Sequence, residues 1–144
     1  MEPTLNSKRR VALFIPYRKD SAGTVFFLQM RDENAPSHPS MYSIFGGGID
    51  GEESHRDAVL REIREELVYT PQNLTYFLHS EMGTRICELY IEEVSMDFES
   101  QIEVLEGKYG KFLSMQEIEQ APHISFLARM FTAEINAWLT NVPL

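Results

Sequence analysis

The sequence has 144 residues, 43% of them hydrophobic and 24% charged, and its 13 Lys and Arg against 22 Asp and Glu give a formal net charge of −9. This length suits one globular domain, and the composition excludes the disordered, collagen-like and disulfide-stapled classes of protein. The negative charge disfavours polymeric nucleic acid and membrane surfaces as partners. We expect a loose leader over residues 1–8 and a single domain over residues 9–144.

The cysteine content indicates where the protein works. Cys87 is the only cysteine, which excludes an internal disulfide and favours a reducing compartment. The apolar run at residues 11–15 is too short to cross a bilayer or to form a secretory signal. We therefore predict a cytoplasmic protein. Cys87 is expected to be packed rather than nucleophilic, and Phe26, Phe27 and Trp138 are expected to lie in the core.

The first half of the chain is predicted to contain two strands, a loop and a helix. Residues 11–17 and 24–30 are β-branched and aromatic runs separated by turn residues, so we expect an antiparallel pair of strands. Residues 31–43 are polar with two prolines, which indicates a loop. Beyond a glycine run, Ser54 is the predicted cap of a helix that ends near Val68.

The second half alternates between strands and helices. Residues 74–81 and 84–94 are predicted strands, residues 97–106 are acidic and irregular, and residues 114–119 and 124–139 are predicted helices. This order lacks the regular rhythm of repeated strand-helix-strand units. It predicts an α/β fold of the α+β type, with a mixed sheet flanked by helices.

Three glutamates are predicted to share one face of the first helix. At about 100° per residue, Glu62, Glu65 and Glu66 fall within a sector of about 100° beside the apolar stripe. Like charges at this spacing repel each other, and a cation between them relieves the repulsion. Oxygen ligands suit Mg²⁺ or Mn²⁺ rather than Zn²⁺. Taken alone, the three residues are also compatible with an ordinary solvated helix face.

A longer spaced pattern decides between these interpretations. Its members are Gly47, Glu53, Arg61, Glu62, Ile63, Glu65 and Glu66. Their spacing resembles the signature of the Nudix hydrolases, G-x5-E-x7-R-E-U-x-E-E-x-G-U, where U is a bulky aliphatic residue. Two positions depart from it, because Val68 replaces the last glycine and Tyr69 the last aliphatic residue. Glycine there supplies a left-handed helix end, so Val68 predicts a different helix exit, enforced by Pro71.

The resemblance implies a fold and an activity. The fold is an α/β/α sandwich, and the activity is hydrolysis of the pyrophosphate linkage of a nucleoside diphosphate attached to another moiety. A divalent metal, Mg²⁺ or Mn²⁺, is implied as cofactor, because carboxylates alone would repel a polyphosphate. Nucleoside triphosphates, nucleotide sugars and dinucleoside polyphosphates all remain open as substrates. A homodimer also remains open.

The same resemblance implies a set of metal ligands. It also implies that one of the carboxylates accepts a proton from the attacking water, and our hypothesis is that Glu62 does so. The implied ligands are the backbone carbonyl of Gly46 and the carboxylates of Glu62, Glu65, Glu66 and Glu106.

The resemblance also implies that further residues support the site or bind substrate. Arg61 and Glu53 are expected to form a bidentate ion pair that fixes the loop against the helix, although Arg61 alone is also typical of an exposed helix face. Gly46, Gly47 and Gly48 would allow close backbone approach of an ion or phosphate, with Gly47 as the candidate substrate contact, or else they form only a flexible turn. Arg31 is the candidate for a phosphate contact, or else a surface residue at a strand end. His123 is the candidate for contact with a base or sugar, or else a helix-entry residue.

Two functions from different classes follow. The favoured one is a metal-dependent pyrophosphohydrolase, because every carboxylate that the chemistry needs is present. The alternative is a Nudix-like domain that binds a nucleotide or a protein without hydrolysis, which the altered Val68-Tyr69 exit would allow. Seven acids and three arginines lie between Gly48 and Thr70. The acidity of the chain is therefore concentrated at the predicted cation site.

Overall fold

The computed structural model describes residues 8–141 of the chain. All of the predicted leader over residues 1–8 except Lys8 lies outside the described residues. Within them, the elements are β1 (Arg9–Asp20), β2 (Gly23–Met30), β3 (Tyr42–Ser43), β4 (Phe45–Gly48), α1 (His55–Leu67), β5 (Thr75–Met82), β6 (Arg85–Glu93), α2 (Phe98–Gln101), β7 (Tyr109–Ser114), α3 (Met115–Gln120) and α4 (Phe126–Thr140).

Strand β1 lies at the centre of one mixed sheet. Its residues 11–17 are all buried, which is typical of a strand covered on both faces. β6 pairs with it in parallel, while β4 pairs antiparallel with its first half and β2 with its second half. β3 and β7 add to β2, and β5 adds to β6, all antiparallel. The predicted antiparallel pairing of the first two strands is confirmed.

Helices cover both faces of this sheet. α1 packs on one face, where Ile63 meets Phe14 of β1 in one buried cluster. α4 packs on the other face, where Phe131 joins Leu13 in a second cluster. Successive residues of β1 thus enter opposite cores, as the alternation of side chains along a strand requires. The α/β/α arrangement confirms the predicted fold class.

No helix within residues 8–141 is long and apolar enough to cross a membrane.

Several local predictions need correction. Trp138 is 50% exposed rather than in the core, because it lies near the end of α4, where its ring meets the edge of Phe77 at 5.5 Å between centroids. The segment predicted to be irregular contains the single turn α2, which the buried Phe98 anchors. Phe26, Phe27 and Cys87 are buried, as predicted.

The predicted change of helix exit at Val68 is also wrong. α1 begins after Ser54, whose hydroxyl accepts a hydrogen bond from the Asp57 N–H, and it ends at Leu67. Val68 follows at φ 50° and ψ 50°, so it adopts the left-handed conformation that glycine would supply. For a residue with a Cβ this conformation costs about 1–2 kcal/mol. The chain keeps the geometry of the signature and accepts strain to do so.

Candidate active site

A cleft of about 870 Å³ opens on the α4 face of the sheet. Its floor is formed by β1 and β4, where Val11 opposes Gly48 and Leu13 opposes Gly46. Opposed residues of an antiparallel pair present their side chains on the same face. Because Gly48 has no side chain, the backbone of β4 is open to a ligand at this point.

Three carboxylates meet at one wall of the cleft. One oxygen from each of Glu62, Glu66 and Glu106 lies within 4.8 Å of the others. Glu66 is only 3% exposed, and its Oε1 accepts a hydrogen bond of 2.9 Å from the Gly46 N–H. Burial, and then the neighbouring Glu106 and Glu62, raise the pKa of Glu66 to about 11. The cluster therefore resists carrying its full negative charge unless a cation compensates it.

Close packing of α1 against β4 brings Glu62 to the cleft. A Cβ atom placed on Gly47 would lie 2.6 Å from Glu62 Oε1, well inside contact distance. Any other residue at position 47 would push this carboxylate away. The glycine of the signature is thus required here by the space that the carboxylate occupies.

Glu106 reaches the cluster through the segment that follows α2. Phe98 packs edge-on against Phe27, with 5.3 Å between ring centroids, and so anchors the start of this segment. The Leu105 N–H then donates to the Glu66 carbonyl at 2.8 Å. This bond satisfies a free carbonyl in the last turn of α1. It also holds Glu106 beside Glu66.

Arg61 joins the loop, strand β4 and the carboxylate cluster. Its Nε and Nη2 each donate to one oxygen of Glu53 at 2.9 Å, which is the expected bidentate contact. Nη2 also donates to the Gly48 carbonyl at 3.1 Å, and Nη1 donates to Glu62 Oε1 at 2.9 Å. The Arg61 guanidinium lowers the pKa of Glu53 to about 2. Arg61 therefore fixes the position of Glu62 as well as that of the loop.

The three carboxylates that meet are not the three predicted from the helix face. The Glu65 side chain is 58% exposed, and its Oε2 lies 3.5 Å from Arg61 Nη1. Glu62 and Glu66 differ by about 40° around the helix axis, whereas Glu65 lies about 100° from Glu66. Glu106 from the segment after α2 takes the third place in the cluster. A ligand role for Glu65 remains a prediction.

Two of the three predicted substrate contacts lie at the cleft. Arg31 and Gly47 line the cleft. Arg31 is held there by donation from its Nε to the Ser37 carbonyl at 2.7 Å. His123, by contrast, is not among the described residues that line the cleft, and its carbonyl accepts the Tyr42 N–H at 2.9 Å. The cleft is lined instead by residues just after His123. These are Ser125, the N-cap of α4, and the first two residues of α4, Phe126 and Leu127.

Sequence reasoning missed two basic residues of the cleft, Arg9 and Arg85. A local signal existed for Arg9, since it precedes Val11 and Leu13 at spacing two and therefore shares their face of β1. For Arg85 the sequence offers no such signal. Its place depends on the parallel pairing of β6 with β1, which sets it opposite Arg9.

Comparison with known proteins identifies the family. A family model described as NUDIX domain matches residues 7–133. The chain belongs to the NUDIX domain family. Its membership confirms the resemblance and the predicted enzyme class, a Nudix-type pyrophosphohydrolase. A comparison with curated proteins finds no match.

Solved structures share this fold at low sequence identity. The MutT protein from Methanosarcina mazei Go1 is 19% identical, with a TM-score of 0.68, 93% of this chain covered and 98% of that chain covered. An Ap4A hydrolase binary complex from C. elegans is 19% identical, with a TM-score of 0.70 and coverages of 93% and 99%. The NUDIX domain of Shewanella oneidensis NrtR, complexed with ADP ribose, is 16% identical, with a TM-score of 0.67 and coverages of 89% and 88%.

Proposed function

We propose that this Nudix protein hydrolyses the pyrophosphate linkage of a nucleoside diphosphate derivative with the help of Mg²⁺ or Mn²⁺. The observation that carries the proposal is the meeting of Glu62, Glu66 and Glu106 in an open cleft. Carboxylates this close destabilise one another unless a proton or a cation lies between them. The donors are all oxygen and all anionic, so they fit a hard divalent cation.

The chain's own residues divide the remaining tasks. Glu62, Glu66 and Glu106 would hold the metal, together with the predicted Gly46 carbonyl and Glu65. When bound, the cation screens the phosphate charges and makes water more acidic. Glu62 is our candidate for the group that accepts the proton from the attacking water, since Arg61 holds its Oε1 in place at 2.9 Å. Through the same guanidinium, Glu53 keeps the loop against β4.

The substrate would lie across the glycine floor of the cleft. Arg31, Gly47 and the backbone of β4 are proposed to contact its phosphates. Two structurally similar proteins support a nucleotide derivative as substrate, one being an Ap4A hydrolase and the other holding ADP ribose. The exposed ring of Phe126 lines the same cleft and offers a flat apolar surface to a base. Stacking of this kind is tolerant of base identity.

The proposed cellular location of the enzyme depends on its cysteine. A buried cysteine without a disulfide partner, Cys87, is consistent with a reducing compartment, and the proposed location is the cytoplasm. The proposed partner is a small nucleotide, and a homodimer remains a prediction.

The test is hydrolysis of a nucleotide panel with and without Mg²⁺ or Mn²⁺. Wild type should release phosphate, pyrophosphate or a nucleoside monophosphate only when metal is present. Glu66→Gln should lower kcat/KM by at least about 100-fold, as expected when a group essential for proton transfer or cation binding is lost. Glu134→Gln, a change at an exposed residue of α4, is the matched control and should retain full activity.

One result of this test would contradict hydrolysis. If wild type turns over no nucleotide in the panel with either metal, hydrolysis is the wrong function. Calorimetric binding of the same nucleotides to wild type would then support the alternative, a Nudix domain that binds without hydrolysis.

A further inference from the structure

Two arginines lie side by side where the cleft floor continues away from the carboxylates. Arg9 and Arg85 are direct partners in the parallel pairing of β1 with β6, and both line the cleft. Directly opposed residues of neighbouring strands present their side chains on the same face. Both guanidinium groups therefore extend from the sheet on the side where the substrate is proposed to lie.

The position of Arg9 relative to Glu66 follows from strand β4. The Arg9 guanidinium lies over Gly48, with Nη2 3.6 Å from the place where a Cβ atom would be. The Gly46 N–H, two residues earlier, donates to Glu66. Two residues of a strand span about 7 Å. The Arg9 guanidinium is therefore displaced along the cleft floor from the contact between Gly46 and Glu66.

Neither arginine is neutralised by the described part of the protein. Among the ion pairs within residues 8–141, Arg9 and Arg85 have no acidic partner, although the chain has 22 acidic residues. Like charges on directly opposed residues of neighbouring strands destabilise the sheet. An anionic ligand would remove this repulsion. Arg61, by contrast, is surrounded by carboxylates.

The loop after β2 contributes a histidine to the same cleft. His38 lies on that loop at φ 51° and lines the cleft together with Arg31 and the arginine pair. Burial, and then Arg85 and Arg31, lower the pKa of His38. The positive charge of this part of the cleft therefore comes from the arginines.

We propose that Arg9 and Arg85 bind an additional phosphate of the substrate, beyond the linkage that is hydrolysed. This inference rests on the proposed function and narrows its substrate class. Two adjacent guanidinium groups offer several parallel N–H donors, which suit a phosphate group. A nucleotide sugar has both of its phosphates in the hydrolysed linkage and leaves this site empty. The favoured substrates therefore contain three or more phosphates in a chain, as nucleoside triphosphates and dinucleoside polyphosphates do.

The test compares adenosine triphosphate with ADP ribose as substrates of wild type, Arg9→Gln and Arg85→Gln. Each substitution should lower kcat/KM for the triphosphate by about tenfold or more, mainly through KM, as expected when a charge-assisted hydrogen bond is lost. The same variants should hydrolyse ADP ribose within about twofold of wild type, since that substrate does not reach the pair. Diadenosine tetraphosphate, as a third substrate, distinguishes an internal phosphate from a terminal one.

Arg10→Gln is the matched control. Arg10 is exposed, carries the same charge and lies next to Arg9 in β1, but adjacent residues of a strand point to opposite faces. Its substitution should leave kcat/KM unchanged for every substrate. If Arg10→Gln reproduced the effect of Arg9→Gln, general charge rather than a site would be responsible, and the inference would be overturned.

Other outcomes separate the inference from the proposed function. Equal losses on adenosine triphosphate and ADP ribose would show that the arginines contact a part common to both, which overturns the inference and leaves the hydrolase intact. If wild type hydrolyses no nucleotide of the panel, the proposed function fails, and binding alone decides the inference. Calorimetry in Mg²⁺ should show that inorganic tripolyphosphate binds wild type more tightly than pyrophosphate, with the difference lost in Arg85→Gln. An unchanged difference would contradict the site.

Discussion

Two of the three buried glutamates among residues 8–141 have opposite surroundings. Glu66 is 3% exposed and Glu92 is 2% exposed. Glu92 accepts hydrogen bonds from the Tyr69 hydroxyl at 2.7 Å and from the N–H groups of Gln72 and Asn73 at 2.7 and 2.6 Å. Glu66 accepts the Gly46 N–H and otherwise faces the carboxylates of its own cluster.

The comparison shows that burial of a carboxylate does not by itself mark a functional site. The donors around Glu92 compensate its charge within the protein, and the carboxylate binds the loop after α1 to strand β6. Burial and the Glu92 carboxylate raise the pKa of Tyr69, so this hydroxyl stays a donor. Glu66 has only the Gly46 N–H as a donor, so its carboxyl stays protonated unless a cation compensates its charge. A buried acid among other acids is the stronger indication of a cation site.

The largest expected effect on stability is at Glu92. Glu92→Ala removes the acceptor for two backbone N–H groups and a phenol, and it should lower the free energy of unfolding by about 3 kcal/mol, because each buried donor left unpaired is destabilising. Urea unfolding measures this change. Glu93→Ala, at the next and exposed residue of β6, should have little effect. Similar losses in the two variants would contradict the structural role of Glu92.

Substitution of Glu66 should stabilise the metal-free protein, whereas substitution of Glu92 destabilises it. The pKa of the Glu66 carboxyl rises from 4.5 to about 11 on folding, so the folded protein binds more protons than the unfolded one, and metal-free stability falls as pH rises from about 4.5 towards 11. Glu66→Gln removes this penalty and should raise the metal-free free energy of unfolding at pH 7 by up to about 3 kcal/mol. Urea unfolding in the presence of a chelator measures it.

Added metal should make wild type more stable than Glu66→Gln, the reverse of their order without metal. Millimolar Mg²⁺ should raise the melting temperature of wild type, because a ligand that binds only the folded state stabilises it. It should not raise that of Glu66→Gln, whereas Glu92→Ala should keep the shift. A metal-free Glu66→Gln protein that is less stable than wild type would show that the two glutamates play similar roles.

The parts of this site that the sequence predicted are those fixed by local spacing. Ser54 as the helix cap and the contact between Arg61 and Glu53 both depend on residues less than ten positions apart. Alternation in β6 also groups Glu88, Tyr90 and Glu92 on one face. It does not say that α1 covers that face, so the burial of Glu92 could not be foreseen.

The features that the sequence did not reveal depend on distant pairings. Arg85 joins Arg9 only because β6 pairs in parallel with β1. Glu65 matches the spacing of the signature and His123 a position before the last helix, but Glu65 lies outside the cluster of three carboxylates and His123 outside the residues that line the cleft. Their roles in the site remain predictions. Val68 illustrates a different difficulty. Propensity argues against a left-handed valine, yet Val68 adopts that conformation.

Val68 lies between Glu66 and Glu92 in the sequence. Substituting it should change the free energy of unfolding less than substituting either glutamate. Val68 follows α1, which carries Glu66, and precedes Tyr69 in the loop that Glu92 holds. Val68→Gly relieves the left-handed strain of a half-exposed side chain and should raise the free energy of unfolding by about 1 kcal/mol, the strain being partly offset by the greater freedom of glycine when unfolded.

A double variant shows whether the Glu92 contacts impose this strain. If they hold Val68 in place, the loop of Glu92→Ala relaxes and the valine leaves its strained conformation, so the gain from Val68→Gly should shrink in that background. A double-mutant cycle by urea unfolding measures the coupling, which should be about 0.5 kcal/mol or more for residues in one connected unit. An unchanged gain would mean that the end of α1 imposes the strain without help from Glu92.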